Sequence, residues 1–148
     1  MTQRPTEIRG FKPVFTAIGV TYIVLASSWL VRGPSVLRDF AVPAPLIAEP
    51  VFADFFMFFY QLMAFGGAVQ VLFGHVTRGL RAQTLVASVY CVYNVLAMFR
   101  DLSTSDSRFG NRLYRGNATL LFVVTDLVFA VAFGAVAVAG LRRLRTEP

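Results

Sequence analysis

Four stretches of this chain run for bilayer-crossing length with no charged side chain, or with only one: residues 13–31, 55–77, 82–99 and 116–141. A helix rises about 1.5 Å per residue, so crossing an apolar slab about 30 Å thick takes about 20 residues. Inside lipid every backbone N–H and C=O must be paired within its own segment, which leaves helix as the conformation for uninterrupted apolar runs of this length. The expected fold is therefore all-α: a polytopic membrane protein built as an antiparallel bundle of four transmembrane helices, over about 13–31, 55–75, 82–99 and 117–140. The length fits a single membrane domain, residues 1–148.

The first run has a rival reading. Arg4, Arg9 and Lys12 ahead of an apolar segment, with Val24-Leu25-Ala26 as a small-residue cleavage site, resemble a secretory signal peptide. The run is longer than the usual apolar stretch of about 7–15 residues and is stopped by Arg32, so it is kept as a span.

Composition agrees and excludes several classes. The chain is 56% hydrophobic and only 15% charged, against about 25% charged in soluble domains. With 15 Phe, 5 Tyr and one Trp it has too much apolar surface to stay disordered. One cysteine excludes an internal disulfide, a CxxC pair and a thiolate metal cage, and one histidine excludes sites needing two imidazoles from the same chain. No metal or other cofactor is expected.

An even number of spans puts both termini on one side. Eight of the 14 basic residues fall on that side (Arg4, Arg9, Lys12, Arg78, Arg81, Arg142, Arg143, Arg145) and six on the other (Arg32, Arg38, Arg100, Arg108, Arg112, Arg115). The positive-inside rule then places the termini in the cytoplasm. The net charge of +6 is spread over both flanks with no nucleic-acid motif, so headgroup anchoring accounts for it and no nucleic-acid partner is expected.

The loops are unequal. Residues 75–81 are short enough to force the second and third spans into an antiparallel hairpin. Residues 32–54 carry Pro34, Pro43, Pro45 and Pro50 and are expected to be extended and stiff, with Val36, Leu37, Phe40, Leu46 and Ile47 available to lie on the membrane surface. Residues 100–115 read as a polar loop. Each outer loop either covers the mouth of the bundle or is a plain solvated connector. Phe55, Phe56, Phe58 and Phe59 cover every side of a helix, which fits lipid contact and packing better than a ligand box.

Polar side chains at depth are the informative residues, since an ionisable one costs about 2.5–3.5 kcal/mol even on insertion scales. Gln61, Asn94 and Asp126 each lie about 5 Å to the outer side of the centre of their span, so the spacing predicts one shared polar layer. Helical periodicity predicts the inward faces: Gly19, Tyr22, Ala26 and Trp29 on the first span; Asp54, Phe58, Gln61, Phe65 and Ala68 on the second; Gln83, Ala87, Tyr90 and Asn94 on the third; Thr119, Phe122, Asp126, Phe129 and Phe133 on the fourth. Gln70, Gln83 and His75, near the inner interface, are expected to be solvated or in headgroup contact. Asn117-Ala118-Thr119 has the glycosylation pattern but lies too close to the membrane for easy modification.

Asp126 admits two readings. It is either a clasp satisfied by Asn94 and Gln61 that fixes helix register, or a group kept to exchange a proton or to hold a cation or a ligand's donor group. The second is favoured, because an amide alone would make the clasp at lower cost.

The layout, with Gly19-Val20-Thr21-Tyr22 in the opening helix and a glycine-containing second helix ending Gly74-His75-Val76-Thr77-Arg78 before a short loop, resembles the small four-helix membrane proteins of the DoxX-like and BphX-like kind. That resemblance implies a compact antiparallel bundle, sometimes the partner of a redox enzyme acting on quinones or sulfur compounds. Three functions follow as expectations. The first is an accessory bundle holding a lipophilic small molecule, a lipid or quinone, with its polar head on Asp126, Asn94 and Gln61 and its apolar part lined by Tyr22, Tyr90 and Phe129. The second is a membrane enzyme of isomerase or cyclase type with Asp126 as acid or base, two-carboxylate chemistry being excluded by a single carboxyl at depth. The third is a proton-coupled transporter of a small solute. Membrane lipid, a membrane protein partner and a second copy of the chain are the expected partners.

Overall fold

The computed structural model describes residues 7–105 and 117–146. The chain forms α1 (Phe11–Arg32), a 3-10 segment (Gly33–Arg38), the single turn α2 (Ala44–Ile47), α3 (Pro50–Val76), α4 (Leu80–Ser105) and α5 (Asn117–Thr146). Among the described residues there is no strand. The four long helices are each long and apolar enough to cross a membrane, the pattern of a multi-pass membrane protein.

Each helix outruns the apolar run that predicted it. Charge marks where the hydrocarbon stops, but a helix continues into the interface because its backbone bonds remain worth keeping there. α4 is the consequential case: it passes Arg100 and is helical as far as Ser105, so residues 100–105 of the expected polar loop are helix. The rest of that loop, with Arg108, Arg112 and Arg115, lies outside the described residues. Local signals set the other ends. Gly33, at φ +65° and ψ −163°, a conformation open to glycine almost alone, terminates α1. Pro50 opens α3 in the first turn, where the missing N–H is no loss.

The segment 32–54 is not extended as expected. Pro34 and Pro45 sit in first turns, and the chain coils back so that Val36, Leu37, Phe40 and Val42 are buried against Phe56 and Tyr60. Trp29 stacks edge-on to Phe40 at 5.1 Å, and Phe40 reaches Phe122 of α5 at 5.2 Å. This apolar plug closes one end of the bundle in preference to spreading on the membrane surface.

The close-packed pairs are α1 with α3 and α4 with α5. The expected hairpin of α3 and α4 is corrected accordingly: the two are consecutive, but they share no comparable interface and meet through Phe73 and Tyr90, ring centroids 6.4 Å apart. Glycines explain the choice of partners. A Cβ on Gly19 would lie 2.6 Å from the carbonyl oxygen of Gly67, and one on Gly67 would lie 2.6 Å from that of Gly19. A Cβ on Gly140 would overlap the hydroxyl of Thr84. Lipid gives helices no hydrophobic reason to associate, so close contact holds each pair, backbone on backbone for α1 and α3 and side chain on glycine for α4 and α5. Between the pairs runs an aromatic seam: Phe15 meets Tyr90 at 5.1 Å and Phe133 at 4.9 Å, and Tyr22 meets Phe129 at 5.4 Å.

The end carrying the termini is tied by buried amides that were expected to be solvated. Gln83 accepts the backbone N–H of Ile8 at 2.7 Å and donates to the carbonyl of Thr77 at 3.1 Å, while Gln70 donates to the carbonyl of Phe15 at 3.4 Å. Arg143 donates to the carbonyl of Glu7 at 2.7 Å. Their depth near the interface concealed that backbone groups there lacked partners.

Two outcomes follow. Gly67→Ala should lose about 1–3 kcal/mol by overpacking, while neighbouring Gly66→Ala, with nothing within 4 Å of its Cβ position, should change stability by less than about 0.5 kcal/mol; reversible unfolding in mixed micelles reads both. Gln83→Leu should release the N-terminal segment to protease, visible as faster cleavage near Ile8 with the four long helices intact.

Candidate functional site

On α4 the inward stripe of Gln83, Ala87, Tyr90 and Asn94 is found as expected, and it continues one step further, to Asp101. Asn94 is 1% exposed. Its amide nitrogen donates to the carbonyl of Tyr90 one turn back at 2.7 Å, and its Oδ1, fully buried, has no hydrogen-bond partner among the described residues. The interhelical clasp, the less favoured of the two readings, is not seen among the described residues: Asn94 bonds to its own helix.

The α4–α5 register places Asp126 relative to it. Gly134 faces Cys91 and Gly140 faces Thr84, so in an antiparallel pair Asp126 falls level with Met98 and Phe99, about 7 Å along the axis from Asn94. Asp126 is buried. Among the described residues it makes no side-chain hydrogen bond or ion pair.

A second buried carboxylate, Asp101, stands toward the outer end of α4, about 10 Å along the axis from Asn94, so Asp126 stays the one carboxyl near the middle of a span. Asp101 is 6% exposed and is held by Arg100, whose Nη2 lies 2.7 Å and Nε 2.8 Å from Oδ1. Arg100 keeps about half of its side chain exposed, as a long cation does when its stem is buried and its head reaches for water. Both Asp101 and Arg100 are within electrostatic reach of Asp126, and Tyr22 on α1 is within reach of all three. Continuing the α4 stripe by seven residues from Asn94 would have found Asp101; the charge at Arg100 had closed the span too early.

The other expected site residues divide. Tyr22, half-buried, packs edge-on to Phe129, and Tyr90 packs on Phe15 and Phe133 in the seam, so Tyr22, Tyr90 and Phe129 line the same interior as Asn94 and Asp126. Gln61 does not join them. It is exposed, with Asp54, Phe58, Phe65 and Ala68, on the face of α3 turned away from the bundle. The reason is the Gly19/Gly67 crossing: it sets Ala53, Phe56, Tyr60, Gly67, Gln70 and Gly74 inward, and Gln61 lies about a third of a turn from Tyr60. The polar layer of three is thus a pair, Asn94 and Asp126, at two depths. His75 is exposed, with Nε2 3.4 Å from the Thr16 hydroxyl, and among the described residues no cluster of His, Cys, Asp and Glu is arranged to hold a metal ion.

Chemically the interior offers acceptors, a carboxylate and an amide oxygen with no partner among the described residues, beside the aromatic seam. Acceptors of this kind can take a hydrogen-bond donor or pair with a cation. The chain matches no protein-family model, no curated protein and no solved structure.

Because Asn94 binds no other helix, Asn94→Leu should leave bundle stability unchanged within about 1 kcal/mol or raise it, since removing an unpaired buried acceptor relieves a desolvation penalty. Unfolding of the delipidated protein checks this, and a loss of several kcal/mol would restore the clasp.

Proposed function

We propose that this protein is an accessory membrane bundle that holds a lipophilic small molecule, a lipid or a quinol/quinone, between its two helix pairs. The ligand's polar head is held at two points, one donor or cation at Asp126 and a second donor at Asn94, and Tyr22, Tyr90 and Phe129 flank its apolar part. The observation that carries the reading is the buried Oδ1 of Asn94, which has no partner among the described residues. A buried acceptor left open costs about 1–3 kcal/mol, and a ligand donor would recover it. With the termini in the cytoplasm, as the bias of basic residues implies, the site belongs to the outer half of the membrane. The resemblance in layout to DoxX-like proteins supports an accessory role beside a redox system.

A second reading draws on the charged and phenolic groups, Arg100, Asp101 and Tyr22, within electrostatic reach of Asp126. One carboxyl facing the interior can exchange a proton with a bound substrate, so a membrane isomerase or cyclase with Asp126 as acid or base is the alternative.

Mass spectrometry of lipid extracts from the detergent-purified protein tests the first reading. A small molecule should be retained in stoichiometric amount, falling about tenfold or more in Asp126→Leu, the worth of a hydrogen bond to a charged group, and several-fold in Asn94→Leu. Equal retention by both variants would sink it. Under the second reading Asp126→Asn keeps the ligand and loses turnover.

A further inference from the structure

The outward face of α3 carries a regularity that the single bundle leaves unused. Phe58, Gln61, Phe65, Ala68 and Leu72 are all exposed and are spaced alternately by three and four residues, the repeat that makes one straight seam for a second helix. The opposite face of α3 is already occupied by α1.

Gln61 decides what covers this seam. It lies about 16 Å along the helix from Pro50 and about 22 Å from Val76, too deep for its side chain to reach headgroups. Hydroxyls on exposed faces elsewhere solve the problem locally: Thr21 donates to the carbonyl of Ala17 at 2.9 Å and Ser28 to that of Leu25 at 2.7 Å. Gln61 has no hydrogen-bond partner among the described residues, and hydrocarbon offers its N–H groups and carbonyl nothing. A primary amide is its own complement, donor to acceptor in both directions. In a parallel two-fold pair each seam position meets its own equivalent, so Gln61 would meet the same amide of a second copy.

We infer that the protein dimerises in the membrane through α3, along the seam from Phe58 to Leu72, with the Gln61 amides paired across the two-fold axis. The occupant is a second copy of this chain, because copies inserted with one topology present the seam in parallel and in register. Phe58 and Phe65 pack on either side of the amide pair, which excludes lipid from it. The inference is independent of the ligand site on the far side of the bundle.

Cysteine crosslinking in liposomes tests it, on the full chain with Cys91→Ala to leave no other thiol. Phe58→Cys and Phe65→Cys should form disulfide-linked dimers under mild oxidation, and Phe59→Cys and Leu62→Cys, exposed but off the seam, should form few. Adding Gln61→Leu to the Phe65→Cys chain should slow crosslinking about 3–10-fold, the scale of a pair of interhelical hydrogen bonds, and Gln61→Asn should restore part of it. Equal yields on and off the seam, no dimer at any lipid dilution, or indifference to Gln61→Leu would each overturn the inference.

Discussion

Everything in this bundle depends on how closely two backbones can approach inside lipid. Water drives apolar helices together; hydrocarbon does not, so association must come from contact itself. At Gly19 and Gly67 the contact is backbone on backbone, and at Gly140 the Thr84 hydroxyl fills the space a side chain would take. These contacts make two stiff pairs. Between the pairs the contacts shown are made by rings, which meet edge-on and tilted.

That division explains where polar groups are quiet and where they are not. Near the termini, Gln83 binds the Thr77 carbonyl and the Ile8 N–H that a helix end and the N-terminal segment leave over, and Gln70 adds a bond to the Phe15 carbonyl inside α1, so their burial is satisfied. In the other half, within the seam, Asn94 bonds only to its own helix and Asp126 to nothing among the described residues. Buried polar groups in folded proteins are nearly always satisfied. The contrast between the two halves of one small protein is the argument that the seam is kept for something other than packing.

Much of this was legible from the chain. The four spans followed from the spacing of charges, and three of the four inward faces from periodicity, because on α1, α4 and α5 small, aromatic and polar residues fall on one stripe. The inward face of α3 was misread, because there the polar marker, Gln61, and the packing marker, Gly67, lie on different sides, and close backbone approach outranks polarity. The buried turn at Val36 and Leu37 was missed because prolines signal both extended chain and the first turn of a helix. Asp101 was hidden by a rule that ends a span at its first charge, although a helix with Arg100 reaching outward continues past it.

The central claim is that the amide oxygen of Asn94 faces a bound donor. Infrared spectroscopy of the protein carrying 13C-labelled asparagine amides, differenced against Asn94→Leu, isolates that one carbonyl. In the protein as purified its stretch should appear at the lower frequency of a hydrogen-bonded amide and shift upward when bound lipophilic molecules are stripped out. A band already at the unbonded frequency, unmoved by stripping, would contradict the account.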